Sequence, residues 1–315
     1  MITVFTTHCY FLKENPNTQD FYDKYFKYSG IGVEFFIILS GFFSSYTYKV
    51  STYKDYMTKK IKRIIPVHWL CLIIGMYLSG LQHITSGIST PLSFFGLNTL
   101  FPIYDCSTPA PWMISTLLVL YAITPYLANQ LNKIDKKILL PLAYLLAVMS
   151  STINYIWYDP QHSTMFWFLY VSPYFRIVTF MIGMLLGVFY KSYRLVEGKI
   201  TLKHSLLELL FFFIIAIFIA KYHKGAGYWY TVPIVILISI SVKGAGVCSY
   251  ILKNRILVQL SKYSFSFYMI HFPILSMVGF LVINLNINIS STLYLIFLLS
   301  FFFLFWIIYS SILFC

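Results

Sequence analysis

The sequence predicts an all-α fold: a polytopic transmembrane helix bundle of about ten spans, the first of them short. Three observations predict it. Hydrophobic residues make up 59% of the 315 and charged residues only 10%, against roughly 25% charged in soluble domains. The apolar residues gather into runs near the ~20 residues that a helix needs to cross a bilayer. The basic residues fall between those runs and favour alternate loops. So little charge cannot clothe a soluble globular enzyme, and so much apolar surface excludes a disordered chain.

The spans follow in chain order. Met1–Leu12 is apolar but only 12 residues long. At about 1.5 Å per residue it covers roughly 18 Å of a ~30 Å hydrocarbon core. It has no basic n-region and no small-residue cleavage site, so it does not read as a signal peptide. It reads as the outer half of a span. Ser29–Tyr48, Ile64–Gly80, Pro111–Gln130 and Ile138–Ile153 come next. Phe166–Tyr190, Ser205–Lys221, Tyr228–Val242, Ser264–Leu285 and Ser291–Phe314 complete the set. No soluble segment interrupts them, and residues 1–315 form a single integral-membrane domain.

The net charge of +13, from 23 Lys and Arg against 10 Asp and Glu, fits either an anionic partner such as nucleic acid or membrane sidedness. Position decides between them. Lys49, Lys54, Lys59, Lys60, Lys62 and Arg63 share one loop. Lys133, Lys136 and Lys137 follow on the same side, then Lys191, Arg194, Lys199 and Lys203, then Lys243, Lys253, Arg255 and Lys262. The alternate loops hold only Lys13, Lys24, Lys27, Lys221 and Lys224. The positive-inside rule puts the larger set, and the C-terminus, in the cytoplasm. The charge is therefore topological. It calls for no nucleic-acid partner, and the chain is expected in a bacterial-type inner or plasma membrane among its lipids.

The outer loops Gln82–Ala110 and Asn154–Met165 carry no Lys or Arg. They either line a cleft or rest as plain loops with interfacial aromatics. The five cysteines, Cys9, Cys71, Cys106, Cys248 and Cys315, have no metal or redox spacing and read as small buried residues. No metal site is expected.

Ionisable residues inside a bilayer are costly and mark function by default. Here they are His8, Glu34, His68, Arg176, Glu208 and His271. His68 and Glu208 lie near cytoplasmic ends, where snorkelling relieves them. His8 and Glu34 lie at matching depth, roughly 6–8 Å below the outer surface of sequential antiparallel helices. A carboxylate beside an imidazole fixes its tautomer and steadies the imidazolium, as acyl transfer to a hydroxyl requires. A buried pair that only joins two helices has the same spacing. Arg176, about 15 Å deep, needs a partner or a water-filled cavity; Glu34 or a substrate phosphate would serve. Lys59, Lys60, Lys62 and Arg63 form either a positive-inside anchor or a seat for the phosphates of a cytoplasmic donor.

Five motifs in order then carry a resemblance. Gly30 to Phe43 reads GIGVEFFIILSGFF, with an acid at Glu34 followed by Ser40-Gly41. Tyr56 to Pro66 carries Lys59, Lys60 and Arg63, and Trp112 to Pro125 carries Leu117 and Tyr121. Pro173, Arg176, Phe180, Gly183 and Gly187 follow at helical spacing, and Ser264 leads to Tyr268 and His271. Together these resemble the acyltransferase 3 family, integral-membrane O-acyltransferases of surface polysaccharides. The resemblance implies a ten-helix domain that takes an acyl group, usually acetyl from acetyl-CoA, and passes it to a hydroxyl of an exported or lipid-linked glycan. It matches His8 to the essential first-helix His and Arg63 to the basic third-helix residue. It puts Lys59, Lys60, Arg63, Arg176, Trp112 and His271 on the donor or substrate and implies no bound cofactor.

One departure accompanies the short first span. The family pattern has an Arg eleven residues before the His, a position that falls ahead of Met1. A start assigned at an internal Met explains both, and a truncated, inactive copy is the alternative. A transporter or flippase of a lipid-linked sugar is the rival function, since it too needs midplane charge.

Overall fold

The computed structural model describes residues 8, 19, 30–49, 52–78, 89–102, 111–159, 161–193, 198–221, 229–259, 261, 264, 265, 268, 269, 271 and 275. Among them every regular element is helical and no strand occurs. The order is α1 (Gly30–Tyr46), α2 (Tyr53–Leu78), the short α3 (Ser89–Phe94), a 3-10 turn at Asn98–Leu100, α4 (Pro111–Leu131) and α5 (Lys136–Trp157). Then come α6 (Ser163–Phe166), a π-turn at Trp167–Val171, α7 (Pro173–Ser192), α8 (Leu202–Lys221), α9 (Thr231–Ser241) and α10 (Val247–Leu252).

Among the described residues three stretches are long and apolar enough to cross a membrane: Trp112–Leu131, Lys136–Trp157 and the composite Ser163–Ser192. Helices α1 and α9 are apolar but shorter. The apolar side chains do not all turn inward. Leu145, Val148, Ile153 and Ile156 of α5 are exposed, as are Leu206, Leu209, Leu210 and Phe213 of α8. Such a surface needs lipid rather than water around it. The expected spans Met1–Leu12, Ser264–Leu285 and Ser291–Phe314 lie outside the described residues except for isolated positions.

Helix α7 is the axis of the bundle, with α1 along one side and α5 along another. Small residues permit the approach of α1. A Cβ on Gly183 would overlap the carbonyl oxygen of Ile38, and one on Gly41 would overlap that of Phe180. A Cβ on Gly187 would overlap the Phe42 carbonyl and the Ser45 hydroxyl. The spacing Gly183-x-x-x-Gly187 thus brings two backbones into direct contact, which is how helices associate where no hydrophobic drive separates them from lipid. Ser45 adds a crossing bond, its Oγ donating to the Met184 carbonyl at 2.9 Å.

Two spans differ from the sequence expectation. Helix α2 begins at Tyr53, well before Ile64, so the basic cluster is its first turns rather than a loop. The run Phe166–Tyr190 is broken. Pro173 removes a backbone N–H and pushes Ser172 into extended geometry (φ −70°, ψ 145°). The turn ahead loosens to π spacing, with Ser172 N–H donating to the Trp167 carbonyl at 2.8 Å.

The segment 89–102, from the middle of the loop Gln82–Ala110, packs part of its length inside, while Phe95, Leu97 and Phe101 stay exposed. Asn98 and Thr99 are fully buried. The His68 ring bonds the Ser93 carbonyl at 2.7 Å, and Trp69 Nε1 donates to that of Phe94 at 2.9 Å. Trp167 Nε1 donates to the Thr99 carbonyl at 3.2 Å. Irregular backbone at such a place is tolerated because protein groups satisfy it. His68 therefore ties α2 to α3 rather than snorkelling. Glu208 is likewise fully buried, where its carboxylate accepts from the Ser249 N–H at 3.1 Å and from the Ser249 hydroxyl. It docks the start of α10 onto α8.

Candidate active site

The break at Ser172 frees carbonyl groups, and the site is built on them. The Val171 carbonyl accepts from Thr116 Oγ1 of α4 at 2.7 Å. The Tyr170 carbonyl accepts from Arg176 Nε at 2.7 Å. Arg176 stands in the first turn of α7, one turn beyond Pro173, so its side chain folds back over the break. Its guanidinium carbon lies 4.9 Å from the Tyr170 ring centre. Nη1 donates to Glu34 Oε2 of α1.

Glu34 and Arg176 are 2% and 1% exposed, which makes this a buried ion pair. The second carboxylate oxygen of Glu34 accepts from Thr179 Oγ1 at 3.0 Å and Thr231 Oγ1 at 3.1 Å. Thr179 is three residues past Arg176 and shares its face of α7. Thr231 opens α9, behind the buried Tyr230. Three helices converge on one carboxylate. A buried ion pair holds only where further hydrogen bonds satisfy the remaining lone pairs, and the two threonines supply them here. Trp112, at the start of α4, packs its ring 5.2 Å from that of Tyr170.

His8 meets a different partner from the carboxylate that its depth suggests. Its Nδ1 lies 3.2 Å from Nε2 of His271, with ring centres 5.1 Å apart. His271 Nδ1 in turn bonds the carbonyl of Tyr268, one turn back in the same segment. Tyr268 stacks on Phe36 of α1, ring centres 6.3 Å apart, two residues from Glu34. Through Tyr268 and Phe36 the histidine pair is linked to the stretch of α1 that carries Glu34, but the group against His8 is a second imidazole. The carboxylate is committed to Arg176, Thr179 and Thr231.

The basic cluster lies at the start of α2. Lys59 and Arg63 are exposed. Lys60 folds inward, its Nζ 4.1 Å from the ring centre of Tyr121 and 5.5 Å from that of Tyr56. Burial, and then the like charge of Arg63, push its ammonium down to about 8. Among the described residues no cluster of His, Cys, Asp or Glu is arranged to hold a metal ion.

The sequence singles out Glu34, Arg176, His8 and His271 and offers Glu34 as a partner to both His8 and Arg176; the structure sets Glu34 against Arg176 and His271 against His8. Sequence reasoning passes over Thr179, Thr231 and Tyr170. The helical spacing of Thr179 from Arg176 is a signal for the first, and Ser172-Pro173 within an apolar run is a signal for the break that exposes the Tyr170 carbonyl. Thr231 and Tyr230 sit in a different span, and nothing local marks them.

A family model described as an acyltransferase domain matches residues 1–311. No curated protein and no solved structure matches the chain. That match runs over nearly the whole length, His8 and the broken helix included. With its lipid-facing apolar helices, this chain belongs to the acyltransferase 3 family and is an integral-membrane acyltransferase.

Proposed function

We propose that the protein moves an acyl group, acetyl in the first instance, from acyl-CoA to a hydroxyl of a cell-surface or lipid-linked glycan. The reading rests on His8, a part-buried imidazole held by a second imidazole near a buried ion pair. In this mechanism His8 takes the proton of the acceptor hydroxyl as its oxygen attacks the thioester carbon. The new C–O bond forms, the C–S bond breaks, and the departing thiolate takes the proton back from His8 to leave as free CoA. Glu34 and Arg176 fix α1 against α7, so that the base and the acceptor meet in one geometry. Trp112, packed against Tyr170, offers an aromatic face on which a sugar ring can lie.

The test is transfer of label from radioactive acetyl-CoA to purified surface glycan in membranes that contain the protein. General-base catalysis contributes about 10²–10⁴-fold, so His8→Ala should lower transfer by that factor while donor binding persists. Unchanged transfer in His8→Ala would remove the histidine from the chemistry. Absence of transfer by the wild-type chain, with movement of a lipid-linked sugar across the membrane in its place, would favour a flippase.

The donor seat is assigned to Lys59, Lys60 and Arg63, whose cations suit the phosphates of CoA. Lys60 gives it a pH signature. With its ammonium near 8, the charge is fully present below that pH and lost as pH rises through it. Affinity for acetyl-CoA should therefore weaken above pH 8, and binding there should take up a proton because the phosphates favour the charged amine. Lys60→Arg keeps its charge and should flatten the alkaline fall. Calorimetry in buffers of different ionisation heat reads both effects, and an alkaline fall that persists in Lys60→Arg would assign it elsewhere.

A further inference from the structure

We infer that His271 is a positioning residue: it sets the tautomer of His8 and so decides which nitrogen of His8 acts as the base. The inference rests on the proposal that His8 is that base.

A chain of bonds carries it. The Tyr268 carbonyl can only accept, so the His271 nitrogen that bonds it, Nδ1, carries a proton. In the neutral ring Nε2 is then an acceptor. The atom facing it at 3.2 Å is Nδ1 of His8, which must therefore be the donor. A neutral His8 with its proton on Nδ1 has its lone pair on Nε2, the nitrogen directed away from His271. The free amino acid side chain prefers the opposite tautomer, so the arrangement is imposed.

The anchor is local. Tyr268 and His271 are one turn apart, so the ring of His271 is tied to the backbone of its own segment. His271 is 1% exposed, with the Tyr268 ring centre 5.4 Å away, so neighbours surround the ring that the Tyr268 carbonyl anchors. A base held at one nitrogen by a fixed neighbour needs no reorientation when substrate arrives, which is how partners behind a working histidine act elsewhere. The proton itself goes from the acceptor hydroxyl to His8 Nε2 and on to the leaving thiolate; His271 gains and loses none.

The experiment has two arms on the full chain in detergent or nanodiscs. The first labels histidine with nitrogen-15 and reads the tautomer of His8, assigned by its loss in His8→Ala. The wild type should show the Nδ1–H form, and His271→Phe should convert it to Nε2–H. The second measures acetyl transfer from acetyl-CoA. His271→Phe should lower kcat about 10- to 100-fold with little change in KM for acetyl-CoA. His271→Gln, whose side-chain oxygen can accept from His8 Nδ1–H, should recover most of it. A wild-type His8 found as Nε2–H, or as the acceptor beside a doubly protonated His271, overturns the inference even if the variants fail to fold. So does full activity in His271→Phe where His8→Ala is inactive. Full activity in His8→Ala would overturn the base, whereas the tautomer spectrum would still report on His271.

Discussion

Arg176→Leu should leave little folded protein. The substitution strips the Glu34 carboxylate, 2% exposed, of its cation and leaves it a buried charge beside the Thr179 and Thr231 hydroxyls. Removing one partner of a buried ion pair costs about 3–5 kcal/mol, a large part of the roughly 5–15 kcal/mol that holds a typical fold. Glu34→Leu should do the same from the other side, because a mid-bundle guanidinium is no easier to leave unpaired. The informative variant carries both changes. With neither charge to desolvate, Glu34→Leu/Arg176→Leu should regain most of the lost stability, since Thr179 and Thr231 can fall back on carbonyls of their own helices. It should not regain activity if the pair shapes the site. Thermal unfolding of the purified protein in detergent, followed by intrinsic fluorescence, separates these outcomes. Single variants as stable as the wild type would mean that water reaches the pair.

The same pair shows how far the sequence could be read. An Arg inside an apolar run is conspicuous, because burial of an unpaired charge is not tolerated; pairing it with Glu34 needed only the observation that Glu34 was the other charge in reach. Depth along two antiparallel helices pairs His8 with Glu34. Depth fixes one coordinate and leaves the rotation of each helix about its axis open. The structure resolves that rotation through contacts far apart in sequence: Thr231 arrives from α9 and His271 from the late segment. The span Phe166–Tyr190 was legible as apolar but not as broken, since hydropathy averages over the one residue, Pro173, that decides the backbone. The loop Gln82–Ala110 reads equally well as a cleft lining or as a plain outer loop with interfacial aromatics. Ser93, Asn98 and Thr99 within it are buried because Thr116, His68, Trp69 and Trp167 offer groups that its backbone and side chains can bond. Complementarity of that kind is a property of pairs of segments, and neither segment displays it alone.

Gly183→Ala should be destabilising even though it improves the helix. Alanine gains about 1 kcal/mol over glycine in a helix interior, and Gly183 has no left-handed backbone to lose. The opposing term is steric. The new Cβ would overlap the Ile38 carbonyl oxygen and stand 2.8 Å from the Phe42 nitrogen. Both are backbone atoms of α1 and cannot rotate aside, so the two helices must part. Overpacking of this sort costs about 1–3 kcal/mol, more with a larger side chain, and Gly183→Leu should prevent the bundle from assembling. A Gly183→Ala protein more stable than the wild type would show that the helices have room to separate. The contact also reaches the chemistry. Gly41 lies seven residues after Glu34 on α1, and Gly183 seven after Arg176 on α7. Seven residues are two turns, so each glycine shares a face with its charge, about 10 Å further along. Helices pushed apart at the glycines pull Glu34 from Arg176. Gly187 is one turn more remote, and a Cβ there meets the Ser45 side chain as well as the Phe42 carbonyl. At equal loss of stability, Gly183→Ala should therefore lower acetyl transfer more than Gly187→Ala. Equal losses of transfer would mean that the glycine contact supports the fold without setting the distance between the two charges.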